Sequence, residues 1–137
     1  MPDTYLTAAA PFLAAYMVLV GLLVGSFINM AADRLPRCES IVRPRSHCRA
    51  CGRELNVVDL IPVFGYAIRG GRCATCKTPI GASAPLVEAV SGGLVLAAIA
   101  WLGLWPGALT GLVLVALWGL LVIGFAFRRQ GDARSAG

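Results

Sequence analysis

The segment 47–76, HCRACGRELNVVDLIPVFGYAIRGGRCATC, carries two Cys-x-x-Cys pairs, Cys48/Cys51 and Cys73/Cys76. Two residues between the cysteines of a pair allow a tight turn that points both sulfurs at one ion. Four thiols paired in this way predict a single tetrahedral metal site with Zn²⁺ as the ion. The 21 residues between the pairs slightly exceed the roughly 15–20 of a usual zinc ribbon, which changes only the length of a loop. Two disulfide bonds are the competing interpretation.

On both sides of this segment the chain is strongly apolar. Of its 137 residues 58% are hydrophobic and 14% charged, which is not the composition of an ordinary soluble domain. The blocks 8–30 and 108–127 contain no charged residue, and Glu88 is the only one in 85–105. Each block reaches the ~20 residues that cross a bilayer core. We therefore predict an α-helical integral membrane protein with three transmembrane helices and the cysteine-bearing loop between the first and second.

The predicted boundaries follow from these blocks. The first transmembrane helix occupies 1–32, the loop domain 33–84, the second helix 85–105, a turn and the third helix 106–127, and a basic tail 128–137. Trp105-Pro106-Gly107 is typical of a tight turn at a membrane interface. The first block is interpreted as an anchor, because it lacks the basic start of a signal peptide and its apolar run is too long for one.

The positive charges predict the orientation. All twelve Lys and Arg residues lie in the loop 33–84 or in the tail after Phe127. The positive-inside rule therefore places the loop and the C-terminus in the cytoplasm and the N-terminus outside. In a reducing cytoplasm thiols stay free, so zinc is favoured over two disulfides. We expect no nucleic-acid partner, since the Arg residues are scattered and the loop has only Phe64 and Tyr66 as aromatic platforms.

The loop is too short to build a large core, so a metal site would supply the missing stability. Its apolar centre, residues 60–68, has two open interpretations: a hairpin buried against the metal core, or an amphipathic segment on the membrane surface. Contact with the bilayer or with the transmembrane helices is the favoured one. Pro62 and Gly65 argue against a long regular helix here.

Several motifs, in order and over roughly residues 20–95, resemble the N-terminal cysteine-rich domain of prepilin leader peptidases/N-methyltransferases. These motifs are Gly25-Ser26-Phe27-Ile28-Asn29, Arg34-Leu35-Pro36, Pro44-Arg45-Ser46-His47-Cys48, Ile61-Pro62, Arg72-Cys73, Pro79-Ile80 and Pro85-Leu86-Val87-Glu88. The resemblance implies a bacterial inner (plasma) membrane protein of type IV pilus or type II secretion systems. Such enzymes cleave a leader from prepilins or pseudopilins and then methylate the new N-terminal amine. S-adenosylmethionine is implied as a cofactor by the resemblance alone, as is the link between the cysteine loop and methylation.

The peptidase half of that family is not expected here. Its activity uses two aspartates on later membrane helices, one of them in a Gly-x-Gly-Asp motif. Asp132 follows Gly131, but Arg128-Arg129-Gln130 precede it, and Asp33 and Asp59 flank the loop without matching either aspartate. Two carboxylates sharing a proton cannot be assembled from these residues. This chain alone is therefore not expected to cleave prepilins.

Glu88 is the candidate catalytic residue, because an ionisable group at the entrance of a membrane helix is costly and often functional. It would pair with the incoming amine of a pilin. The alternative is a carboxylate favoured by the helix dipole and paired with an Arg of the loop. His47 is expected to support the metal site from outside or to be exposed, and Cys38 to be a free thiol without a role.

The chain also departs from the family pattern. Arg49 stands where many relatives have Pro, Gly65 where Ser is common, and Ala84 where Tyr is common. Three functional hypotheses follow. The first is a prepilin N-methyltransferase-like enzyme acting beside a separate aspartate-bearing peptidase chain. The second is a non-catalytic zinc-stapled accessory, or a split-peptidase subunit that binds pilin-like helices. The third is an electron carrier with iron in the four-cysteine site. The first is the working hypothesis.

Overall fold

The computed structural model describes the backbone of residues 2–135 and the side chains of residues 9–135. Met1 and the last two residues of the predicted tail, 136–137, lie outside this range. The α-helices are α1 (Pro2–Arg34), α2 (Phe64–Ile68), α3 (Ser83–Leu102) and α4 (Leu104–Ser135), and Leu35–Arg37 and Val58–Leu60 form short 3₁₀ helices.

Three of these helices, α1, α3 and α4, are long and apolar enough to cross a membrane. They pack on one another, and the cysteine-bearing loop lies between the first and the second of them. In residues 2–135 no strand forms, and strand-like pairing is limited to two isolated bridges in the loop. The predicted fold class, a three-helix membrane protein with a four-cysteine loop, is confirmed.

The break between α3 and α4 lies at Gly103, two residues before the predicted turn. Gly103 has φ +82°, and its N–H donates to the carbonyl of Ile99 at 2.9 Å. A glycine reaches this conformation without a Cβ penalty, so the helix ends there. Trp105-Pro106-Gly107 instead form the first turn of α4, where the missing N–H of a proline costs nothing. At the other end, α4 continues through the predicted basic tail as far as Ser135.

Small residues bring the three long helices close together. A Cβ added to Gly25 of α1 would lie 2.8 Å from the Cα of Glu88, and one added to Gly111 of α4 would lie 2.7 Å from the Cα of Val95. Helices in a membrane associate through such close contacts, because lipid is as apolar as the side chains. The buried residues at the centre of the bundle are Ile28, Val87, Val95 and Val115.

Gly107 is the closest of these contacts, and its replacement by Ala is expected to open the α3–α4 pair. A Cβ there would lie 2.5 Å from the carbonyl oxygen of Ala98 and closer still to the Cα of Ile99. Because both are backbone atoms, the helices must move apart, at a cost of about 1–3 kcal/mol. Thermal unfolding of the purified protein in detergent measures the loss.

Gly124→Ala is the matched control, since it makes the same change in the same helix. A Cβ at Gly124 meets no atom within 4 Å, and the helix propensity of Ala favours the variant by about 1 kcal/mol in a helix interior. The control is expected to unfold at or above the temperature of the unmodified chain. Equal unfolding temperatures for the two variants would contradict close packing at Gly107.

Candidate metal centre and the adjoining cavity

The two cysteine pairs lie on two turns with the same backbone geometry, 25 residues apart. In the first, Cys48 N–H donates to the carbonyl of Arg53 at 2.8 Å, and in the second Cys73 N–H donates to that of Thr78 at 2.9 Å. The fifth residue of each turn has positive φ: Gly52 at +72° and Lys77 at +58°. An antiparallel bridge closes each turn, one between His47 and Glu54 and the other between Arg72 and Pro79. Each turn thus presents its two sulfurs on one side.

The four sulfurs meet at one point. Those of Cys48, Cys51, Cys73 and Cys76 all lie within 4.8 Å of one another. The closest approaches join the two turns: 3.8 Å between Cys48 and Cys76, and 3.9 Å between Cys51 and Cys73. Zn–S bonds of about 2.3 Å in a tetrahedron require sulfurs about 3.8 Å apart, so the cluster fits a tetrahedral ion. A disulfide needs a separation of about 2.05 Å, and all five cysteines are free thiols.

The electrostatics of the cluster favour a bound cation. The N–H groups of Cys76 and Thr75 lower the pKa of the Cys73 thiol to about 6, against the effect of its burial. At Cys51 the N–H of Arg53 lowers the thiol pKa, but desolvation and the neighbouring thiols raise it more, to about 11. Four thiolates this close repel one another, and a divalent cation among them removes that repulsion.

The other residues weighed as ligands lie outside the cluster. The Nδ1 of His47 is 2.9 Å from the carbonyl oxygen of Arg45, and its side chain is exposed. Cys38 caps the 3₁₀ helix that follows α1 and is exposed as well. Arg49 pairs with Asp33 and with Glu39. These two carboxylates hold the guanidinium and raise the pKa of Arg49 above its ordinary value.

Asp59 ties the apolar centre of the loop to the first cysteine turn. Its side chain is 7% exposed and pairs with Arg53 and, at 2.6 Å, with Arg69. Its backbone and carboxylate also exchange hydrogen bonds with Asn56. Burial raises the pKa of Asp59, but the Asn56 N–H and the two guanidinium groups lower it more, so the net shift is downward. Asp59 is therefore a structural carboxylate.

Glu88 joins the loop to the membrane helices. It lies in α3 and is 7% exposed, and its Oε2 accepts a hydrogen bond from the N–H of Val63 at 2.6 Å. Val63 has φ +61°, a conformation that a β-branched residue rarely adopts. None of the ion pairs among the described side chains involves Glu88. The observed partner of the Glu88 carboxylate is thus the backbone of Val63.

A cavity of about 400 Å³ lies between the cysteine turns and the start of α3. Its walls include Cys48 and Cys73 of the two turns, the ring of Tyr66, Asp59 with its arginine partners, and Glu88. Most of its surface is apolar, with a few polar groups converging on it, and its volume is in the range of small-molecule sites. Gly65 and Ala84 also line it. The structure therefore places the candidate metal site and the candidate catalytic carboxylate beside one cavity.

Sequence reasoning missed Tyr66, Val63 and the role of Asp59. The motif Asn56-x-x-Asp59 was a usable signal for the role of Asp59. The side chain of each residue accepts a hydrogen bond from the backbone N–H of the other, which is a capping-box arrangement. Of the three aspartates considered for peptidase activity, two form ion pairs: Asp33 with Arg37 and Arg49, and Asp59 with Arg53 and Arg69. Within the apolar blocks 8–30, 85–105 and 108–127, Glu88 is the sole acidic residue.

Comparison with known proteins gives a consistent result. Residues 19–102 match the bacterial peptidase A24 N-terminal domain. A prepilin leader peptidase/N-methyltransferase of Myxococcus xanthus is 39% identical over 107 residues, covering 78% of this chain and 32% of the relative. One from Pseudomonas aeruginosa is 34% identical over 131 residues, covering 77% and 44%. The chain thus spans between about a third and a half of the length of these curated relatives. No solved structure shows a significant match.

Proposed function

Because the chain belongs to the bacterial peptidase A24 N-terminal domain family, we propose that it methylates the N-terminal amine of processed prepilins or pseudopilins. S-adenosylmethionine would be the methyl donor, and aspartic endopeptidase activity is not expected from this chain alone. The names of its relatives, prepilin leader peptidase/N-methyltransferase, support the reaction class.

The observation that carries the proposal is the position of Glu88. It lies on a transmembrane helix and lines the cavity beside the cysteine cluster. One carboxylate oxygen is held by Val63 N–H, and Oε1 makes no hydrogen bond among the described residues. A pilin-like substrate is an apolar helix with a charged amine at its end, so a carboxylate at this depth suits that amine. Glu88 would bind and orient the amine.

Methyl transfer depends mainly on how the amine and the methyl donor are positioned. Once the bound ammonium has lost a proton to water, the nitrogen lone pair forms the new bond to the methyl carbon while the carbon–sulfur bond of the donor breaks and sulfur keeps the electron pair. The side chains of this chain would hold the amine in line with that carbon and exclude water from the cavity. When bound, S-adenosylmethionine supplies the methyl group. Tyr66 and the apolar wall are the surfaces available to it.

We propose Zn²⁺ as the ion of the four-cysteine site, with a structural role. Four thiolates occupy all four coordination positions of a tetrahedral ion and leave none open for a substrate. Zinc would hold the two turns together and thereby shape the cavity wall that contains Cys48 and Cys73. A site closed in this way stabilises the loop and takes no part in methyl transfer.

The proposed location is the bacterial inner membrane, with the N-terminus outside and both the cysteine loop and the C-terminus in the cytoplasm. The charge distribution supports it, since every Lys and Arg lies on one side of the three spans. The reducing cytoplasm then keeps the cysteines available to metal. The proposed membrane segments are residues 1–32, 85–105 and 106–127, with 33–84 as the loop domain and 128–137 as the tail.

A non-catalytic accessory or split-peptidase subunit is the second candidate. Gly65 favours it: a Cβ there would lie 2.7 Å from the carbonyl oxygen of Val58 and 2.8 Å from that of Asp59. The family resemblance implies a serine at this position, and its Cβ would not fit here without a shift of the backbone. Such a protein would still bind pilin-like helices, with a separate aspartate-bearing chain performing cleavage.

Methyl transfer from labelled S-adenosylmethionine to a pre-cleaved pilin peptide tests the proposal, with the purified chain in detergent. We expect label on the N-terminal amine of the peptide. A folded, zinc-loaded chain that binds the peptide but transfers no label would establish the accessory role instead. A coloured protein containing iron would support the electron-carrier hypothesis.

A further inference from the structure

The apolar segment 57–68, formed by the Val58–Leu60 3₁₀ helix and α2 with their flanking residues, has two unlike sides. Pro62 and Gly65 are buried, and the Asp59 carboxylate is enclosed by its arginine partners. By contrast, Val57, Phe64 and Ile68 are 80%, 64% and 61% exposed, and Phe64 and Ile68, four residues apart in α2, share one face of that helix. Exposed apolar groups of this size on one side of a segment mark an interaction surface.

The position of the segment along the bundle is set by the bond between Val63 N–H and Glu88. Helix α3 has 20 residues, so it is about 30 Å long at 1.5 Å per residue and just spans a hydrocarbon core. Glu88 is the sixth residue of α3, which places it about 7 Å from the start of the helix. Val63 therefore lies about 7 Å inside the edge of the hydrocarbon core, within the depth of about 5–10 Å that interfacial segments reach, and Phe64 follows it directly.

Close contacts within the segment hold it in the arrangement that leaves its apolar side chains exposed. Gly65 lies so close to the 3₁₀ helix that an added Cβ would be 2.7 Å from the carbonyl oxygen of Val58. The Arg69–Asp59 pair joins the end of α2 to the same 3₁₀ helix at 2.6 Å. Val63 is held at φ +61°, a conformation that costs of order 1–3 kcal/mol and persists only where its surroundings impose it.

The charges around the segment suit a membrane surface. Asp59 is the only acidic residue between 55 and 72, and two arginines neutralise it. Arg72, four residues after the segment, is exposed, and basic residues near the bilayer are attracted to anionic headgroups. A short amphipathic element with large apolar side chains and basic neighbours is typical of segments that lie in the interface.

We propose that residues 57–68 are an interfacial anchor, with the Phe64 and Ile68 side chains inserted at the headgroup–acyl boundary of the leaflet that faces the cysteine loop. Glu88 fixes its depth through Val63, so the cavity beside the metal site is held against the membrane surface. A substrate helix could then reach Glu88 without leaving the bilayer. The anchor itself does not depend on methyl transfer, and its test is independent of that activity.

Photo-crosslinking to lipid tests the anchor in the full chain. Benzoylphenylalanine is placed at Phe64 or Ile68, the protein is reconstituted into vesicles of phosphatidylcholine and phosphatidylglycerol, and lipid adducts are measured by mass spectrometry. Leu117, exposed in the middle of α4, is the positive control, and Glu54, exposed on the first cysteine turn, is the negative one. We expect adducts at 64 and 68 at about the level of position 117 and roughly 10-fold above position 54.

Substitution gives a second readout. Phe64→Asp should detach the segment and speed tryptic cleavage after Arg69 and Arg72 in vesicles, while metal content and α-helicity stay unchanged. Val42→Asp is the matched control, because Val42 is 76% exposed and lies outside the segment. Adducts at position 117 without adducts at 64 and 68 would overturn the proposal. So would crosslinks at position 64 to a second copy of the chain in place of lipid.

Discussion

Replacing Cys73 with Ser is expected to abolish metal binding and open the loop. Cys73 is the buried member of the four-sulfur cluster, 2% exposed, and its sulfur lies 3.9 Å from that of Cys51. Structural zinc in small domains contributes about 10–16 kcal/mol of apparent binding free energy, all of it to folding. A loop of this size has little other core, so metal occupancy should fall from about one ion per chain to below about a tenth.

Elemental analysis after dialysis against a weak chelator measures the occupancy, and limited proteolysis reports the opened loop. Cys38→Ser is the matched control, since the Cys38 thiol is exposed and lies outside the cluster. It should leave metal content and protease resistance unchanged. The transmembrane helices should keep their circular dichroism in both variants, because their packing residues lie in the bundle.

The same sample distinguishes the metal from disulfides. After chelation under non-reducing conditions, alkylation should modify all five cysteines of the chain. Two disulfides would leave a single cysteine open to modification until a reductant is added. Full metal content in the Cys73→Ser protein would contradict the four-thiol site.

Replacing Glu88 with Gln is expected to reduce methyl transfer strongly while preserving the fold. The amide oxygen of Gln still accepts the bond from Val63 N–H, now 2.6 Å from Oε2, but the negative charge that would pair with the amine is lost. Hydrogen bonds to charged groups contribute about 1.5–3 kcal/mol, which corresponds to roughly 10- to 150-fold in kcat/KM. The loss should appear mainly in the KM for the pilin peptide.

Glu88→Ala separates the two roles of this residue. It removes the charge and also the acceptor for Val63, so tryptic cleavage around residues 57–72 should accelerate as well as activity fall. Glu54→Gln makes the same chemical change at an exposed position outside the cavity and should leave KM unchanged. Normal KM in Glu88→Gln with loss only in Glu88→Ala would assign Glu88 a positioning role. Full activity in both would place the amine site elsewhere.

Much of this protein is determined by local sequence patterns. The number of membrane spans follows from the lengths of the apolar blocks, because about 20 residues cross the hydrocarbon core whatever lies around them. The four cysteines could be assigned to one cluster because a Cys-x-x-Cys turn sets the direction of its own sulfurs. The family resemblance rests on motifs that are contiguous in the chain, and the comparisons confirm it.

Only the tertiary structure shows which residues distant in the chain contact one another. The hydrogen bond from Val63 to Glu88 joins positions 25 residues apart. Of the nine basic residues of the loop, Asp59 pairs with Arg53 and Arg69. The helix break also moved, to Gly103, since a proline suits the first turn of a helix as well as a tight turn. No local sequence pattern encodes these contacts, because each contact depends on how the loop packs against the start of α3. The cavity follows from that packing alone.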